Sequence, residues 1–169
     1  IMNDRTMDFI REAAHVKPTA RQLHTFRDVG FYAFIHFSPN TYTDLEWGNG
    51  NEDPAIFNPV ELDCDQWVNS IKDAGMKGVV ITAKHHDGFC LWYSDYTDYS
   101  VESSVNWDVE TRDIVALLSE ECKNQGVKFG IAISPLDRHE ESYGKGEEYN
   151  NYFKALLREV LTKYGDIFY

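Results

Sequence analysis

The hydrophobic positions of this chain follow a repeated order, in which a stretch with helical periodicity leads through a glycine into a short apolar run. In residues 64–74, Trp67, Ile71 and Ala74 fall at i, i+4 and i+7, on one face of a helix. Gly75 follows, where glycine is favoured past a helix end. The apolar runs are nearly continuous, as is typical of parallel strands buried on both faces. The pattern predicts helices at residues 64–74, 112–125 and 147–164, and strands at residues 31–37, 79–84 and 129–134.

This order of elements predicts an α/β fold, and two architectures fit it: a (β/α)8 TIM barrel and an open doubly wound sheet. Long segments follow each strand, and barrels carry their chemistry on loops of that side. No G-x-G-x-x-G or GxxxxGK[ST] motif follows a strand, which disfavours a nucleotide-binding sheet. We therefore predict one domain, residues 1–169, made of about the first four βα units of a TIM barrel. The apolar run at residues 165–169 is expected to be the beginning of the fourth strand.

Polar side chains cluster where the predicted strands end. They are His36 after the first strand, Lys84, His85 and His86 at the second, and Ser134, Asp137 and Arg138 after the third. Because the carboxyl ends of parallel strands lie on one face, we expect the three histidines to converge. The loop after the first strand adds Glu46 and Trp47, a hydrogen-bond acceptor beside an apolar platform.

Three interpretations of this cluster remain open. The histidines could bind a metal with Asp87 or Glu46 as a further ligand, although neighbouring strand residues project to opposite sides. They could instead be structural, and Asp137 and Arg138 could form a salt bridge in a solvated loop. The third interpretation is a pocket for a polyhydroxyl ligand, because imidazole offers a donor and an acceptor, and tryptophan packs on an apolar sugar face. We favour the third and expect neither a metal nor a cofactor.

Charge and composition narrow the set of partners. The net charge of −12 disfavours nucleic acid and anionic membranes, which need a basic surface. No run of apolar residues is long enough to predict a membrane span. The three cysteines are widely spaced and contain no CxxC motif, so neither a zinc site nor a redox pair is predicted. Residues 1–22 lack the layout of a signal peptide.

Several strings resemble family 29 of the glycoside hydrolases, the α-L-fucosidases. They occur in the family's order from about residue 18 to residue 169, and "TAKHHDGF" at residues 82–89 is the most specific. The others are "GFYAFIHFSPNTYTDLEWG", "DQWVNSIKDAGMKGVVITAKHHDGFCLW", "YTDYSV", "RDIV" and "GVKFGIAISPLDRHEESYG". One departure is Phe37-Ser38, where the family commonly has Trp-Gly after the first histidine.

The resemblance implies a catalytic TIM barrel that releases terminal α-linked L-fucose from oligosaccharides or glycoconjugates with retention of configuration. Carried over by position, the fucose-binding residues are His36, Glu46, Trp47, His85 and His86. The segment at residues 134–144 is similar to the branch that prefers α-1,3/1,4 linkages. The family's nucleophile and acid/base are expected beyond Tyr169, so this chain is expected to hold one wall of the sugar pocket and to be inactive alone.

Two alternative functions remain. The chain could be a non-catalytic carbohydrate-binding half-barrel that forms a homodimer through its open strand edges. It could also be a metal-dependent hydrolase that uses the three histidines. By analogy with the family, a periplasmic or secreted location is expected.

Overall fold

The computed structural model describes residues 15, 17–106 and 113–168, and the chain divides into two compact units, Ile1–Gly30 and Phe31–Tyr169. In the first unit, the described helix is α1, Ala20–Val29. Thr19 caps this helix by accepting a hydrogen bond from the N–H of Gln22, whose side chain accepts one from the N–H of Thr19. This helix was not among the predicted elements. The prediction of a single domain stays a prediction.

The second unit is an α/β structure. Its elements are β1 (Tyr32–Ile35), α2 (Asn40–Thr43), α3 (Cys64–Asp73), β2 (Gly78–Lys84), α4 (Ile114–Gln125), β3 (Lys128–Ile133) and α5 (Glu147–Lys163), with short 3-10 turns at Pro54–Ile56 and Val101–Ser103. The three helices and the first three strands that the sequence predicts are present, with ends displaced by no more than about two residues. The α/β class is confirmed.

The three strands form one parallel sheet in the order β1-β2-β3. Tyr32 lies opposite Gly78 in the first pair, and Gly78 lies opposite Lys128 in the second, so the strands begin level. Every residue of β2 is buried, which explains why its sequence is apolar without alternation. Because all three strands run in the same direction, the residues after each strand emerge at one edge of the sheet.

Side-chain caps fix the helices that follow the long loops. Asp63 accepts a hydrogen bond from the N–H of Gln66 at the start of α3. Asp113 does the same for Ala116 at the start of α4. At the other end of α4, Gly126 adopts a left-handed conformation with φ of 73°, which turns the chain into β3.

The hydrophobic core fills the space between the sheet and the helices. Its fully buried aliphatic members include Val79 and Ile81 of β2, Val68 of α3, Leu118 of α4 and Leu156 of α5. The loop after β2 is also tied to α5, because Glu159 accepts hydrogen bonds from the indole of Trp92 and the hydroxyl of Ser94. This rigid base holds the strand ends that carry the polar cluster.

The predicted fourth strand is not formed as a strand within the described residues. Phe168 nevertheless donates a backbone hydrogen bond to the carbonyl of Phe129 at 2.8 Å, so this segment lies beside β3. No helix in the described part of the chain is long and apolar enough to span a membrane.

Candidate functional site

A cavity of about 440 Å³ opens at the carboxyl ends of β1 and β2, a size typical of small-ligand sites. The structure brings all five predicted site residues together on its wall. The lining residues are His36, Phe37, Asn40, Thr41, Leu45, Glu46, Trp47, His85 and His86. The prediction that His36 and the pair His85 and His86, about 50 positions apart in the sequence, lie close together is therefore confirmed.

The three histidines form a contiguous group of rings. The ring centroids of His85 and His86 are 4.6 Å apart, and those of His36 and His85 are 5.7 Å apart. Strand β2 ends at Lys84, so the two histidines that follow do not alternate between opposite faces of the sheet. Both therefore line the same cavity.

A hydrogen bond to Ser134 orients the ring of His86. The Nδ1 atom of His86 lies 2.5 Å from the Oγ atom of Ser134. That oxygen also accepts from the N–H of Leu136 and donates to the carbonyl of Leu136, each at 3.0 Å. The Ser134 hydroxyl thus holds the imidazole through Nδ1 in either tautomer of the ring. Nε2 of His86 is left to form a hydrogen bond with a sugar hydroxyl, which can both donate and accept.

The environment of His85 keeps its ring neutral. The pKa of His85 is lowered from 6.5 to about 4, first by burial and then by the nearby charges of His86, His36 and Lys84. In the part of the chain that the structure describes, the buried Nδ1 atom of His85 has no hydrogen-bond partner. A buried polar atom without a partner is costly, and such atoms in native proteins are often found at functional sites.

The neutral state of His85 makes stability depend on pH. The unfolded chain binds a proton at His85 below pH 6.5, whereas the native state resists protonation until about pH 4. We expect the free energy of unfolding to fall as pH drops through this window and the contribution to be fully present above it. Urea unfolding at stepped pH values measures this slope. A His85→Gln variant with the same slope as wild type would contradict the assignment.

The segment that follows α2 places Glu46 and Trp47 on the cavity. The left-handed residue Asp44 ends α2 with φ of 57°, and the side-chain amide of Asn40 donates to the carbonyl of Glu46 at 2.8 Å. The indole of Trp47 meets His86 edge-on, with 5.1 Å between ring centroids, and remains 46% exposed. One face of the indole is thus available to a ligand.

Three buried ionisable residues near the histidines, Lys84, Asp87 and Asp137, do not line the cavity. The ammonium of Lys84 is buried and pairs with the Asp137 carboxylate at 2.7 Å, so the interpretation in which Asp137 pairs with Arg138 in a solvated loop is wrong. Asp87 is fully buried and accepts hydrogen bonds from the Ser38 hydroxyl and the N–H of Phe89. Both carboxylates are therefore occupied by structural partners.

The loop after β3 supports the site through contacts that were not predicted from the sequence. Arg138 donates to the carbonyls of Trp47 and Gly48, and the ring of His139 stacks on that of Tyr99 at 3.9 Å. The position of this loop in the sequence could have indicated its role, because it follows a strand that ends at the same edge of the sheet as the histidines. Among the described residues, no group of three or more His, Cys, Asp or Glu side chains is arranged to hold a metal ion.

Comparison with known proteins gives the family. The family model described as Alpha-L-fucosidase matches residues 14–169. The chain belongs to the α-L-fucosidase family. Alpha-L-fucosidase 1 of Arabidopsis thaliana is 54% identical over 134 residues, which make up 79% of this chain and 26% of the plant protein. This member of the α-L-fucosidase family thus spans about a quarter of the length of that curated relative.

Solved structures of the α-L-fucosidase family agree with the fold. A glycoside hydrolase 29 family member from an unknown rumen bacterium matches 89% of this chain and 26% of its own, with a TM-score of 0.83 and 52% identity. A family 29 fucosidase from Ruminococcus gnavus, solved in complex with fucose, matches 85% of this chain and 32% of its own, with a TM-score of 0.75 and 35% identity.

Proposed function

We propose that this chain is part of a retaining, exo-acting α-L-fucosidase, in which it supplies one wall of the fucose pocket. The observation that carries the proposal is the convergence of His36, His85, His86, Glu46 and Trp47 on one cavity. Membership of the α-L-fucosidase family supports the same conclusion. The substrate is a fucosylated oligosaccharide or glycoconjugate, with α-1,3 or α-1,4 linkages as the expected class.

The chemistry of the wall suits a neutral monosaccharide. The imidazole rings of His85 and His86 and the carboxylate of Glu46 offer hydrogen-bonding groups at neighbouring positions of the wall, so adjacent sugar hydroxyls can be bonded in pairs. The exposed face of the Trp47 indole packs against the apolar face of the ring. The polar groups fix the orientation of the sugar, and the indole excludes water from one side.

The catalytic carboxyl groups are proposed to come from outside this chain. Retaining hydrolysis uses two carboxyl groups about 5–5.5 Å apart, one as nucleophile and one as acid/base. Among the described residues that line the cavity, Glu46 is the one acid, while Asp87 and Asp137 are held by structural partners. We therefore place this chain in the first half of a TIM barrel, whose remaining strands complete the site.

An assay of the full-length protein tests this proposal. We expect it to hydrolyse 4-nitrophenyl α-L-fucopyranoside and to leave the matching β-L-fucopyranoside intact. Proton NMR during early turnover should detect α-L-fucose as the first product, because two displacements restore the original configuration. Absence of turnover would refute the proposal, and β-L-fucose as the first product would refute retention.

A further inference from the structure

Arg138 contacts both segments that form the cavity, although it is not among the residues that line it. Its backbone N–H donates to the carbonyl of His86 at 3.0 Å. Its Nη1 atom donates to the carbonyls of Trp47 and Gly48 at 3.0 and 2.9 Å. One residue of the loop after β3 thus joins the end of β2 to the segment that carries Trp47.

The guanidinium group of Arg138 also lies over the Trp47 ring. Its central carbon lies 5.6 Å from the centroid of the indole, within cation–π range. The indole also contacts the His86 ring edge-on, at 5.1 Å between centroids. Trp47 is therefore in contact with a cation and an imidazole, and these contacts limit the rotation of its ring.

The backbone of the same two segments is closely packed. The Nδ1 atom of His139 lies 2.7 Å from the carbonyl oxygen of Gly50 and donates to it. Gly50 has φ of 81°, and a Cβ atom there would overlap the carbonyl group of Arg138. The segment of residues 47–50 is thus closely packed against the segment of residues 137–139. This packing keeps the hydrogen-bond acceptors of Arg138 within reach of its side chain.

We propose that Arg138 is a positioning residue that holds the Trp47 indole at the angle required for packing against the sugar, an inference that rests on the proposed function. Methionine would keep the length of the side chain but lose its donors and its charge. Lysine would keep the charge over the ring but not the planar fork of donors. Since the platform contacts substrate and transition state alike, losing it weakens binding without slowing the chemical step.

The test uses the full-length protein labelled with 5-fluorotryptophan, with wild type, Arg138→Met, Arg138→Lys and the control Arg158→Met, an exposed arginine of α5. A Trp47→Phe variant identifies the fluorine resonance of Trp47 in sugar-free protein. We expect Arg138→Met to shift or broaden this resonance and to raise KM for the aryl fucoside about tenfold with kcat nearly unchanged. Arg138→Lys should recover part of the KM, and Arg158→Met should match wild type.

The possible outcomes separate a positioning role from a merely structural one. A variant that is only less folded has a lower apparent kcat at an unchanged KM, and this result would overturn the proposal. An unmoved Trp47 resonance in Arg138→Met would also overturn it. If the wild-type protein does not hydrolyse the fucoside, the proposed function fails. In that case the Trp47 resonance of the sugar-free protein is the one measurement that decides whether Arg138 positions the indole.

Discussion

Replacing His85 with alanine in the full-length protein is expected to lower kcat/KM for an aryl α-L-fucoside by about 100-fold, as for the loss of one preorganised transition-state donor. The ring of His85 contacts both His36 and His86, so its loss removes a hydrogen-bonding group and loosens its neighbours. Its buried Nδ1 atom has no hydrogen-bond partner among the described residues, which sets His85 apart from the other histidines of the cavity. Steady-state kinetics of the variant measure the loss.

His24→Ala is the matched control, because His24 is an exposed histidine of α1 whose ring pairs with Asp28. We expect its kinetics to equal those of wild type. His85→Asn should lie between wild type and His85→Ala, since the amide keeps one donor and one acceptor. If His85→Ala and His24→Ala turn over the fucoside equally fast, His85 is not a fucose-binding residue.

The sequence predicted those parts of the site that depend on strand order. A run without alternation, such as Val79 to Ile81, requires burial on both faces, and this favours parallel strands whose ends share an edge. Because His36, His85 and His86 follow strands that end at this shared edge, the sequence was enough to predict that they lie close together. The resemblance to the α-L-fucosidase family selected the same residues from aligned motifs.

The contacts between loops could not be predicted in this way. Asp137 and Arg138 are neighbours in the sequence, which suggested that they pair, yet their side chains bond to Lys84 and to Trp47. The choice of partner depends on how two long loops pack, and neither periodicity nor spacing encodes that packing. The short helix α2 was missed for a related reason, because four residues are too few to show a helical period.

Lys84→Met is expected to lower the free energy of unfolding of the full-length protein by about 3 kcal/mol, near the lower end for breaking a buried ion pair. The side chains of Lys84 and Asp137 are 0% and 1% exposed, so the variant leaves a carboxylate buried without its cation. The carboxylate keeps hydrogen bonds from the N–H groups of His139 and Glu140, at 3.0 and 2.9 Å, which limits the cost. Urea unfolding measures the change.

A double-mutant cycle distinguishes the ion pair from general loss of packing. Asp137→Asn should also destabilise the protein, because it leaves the Lys84 ammonium buried. The double variant should be less destabilised than the sum of the two, since neither orphan charge remains. Lys154→Met, at an exposed position of α5, should change stability by no more than about 0.5 kcal/mol. Strict additivity in the cycle would mean that the pair contributes no coupling. Because Asp137 precedes Arg138, whose N–H bonds to His86, loss of this pair should also raise KM for the fucoside.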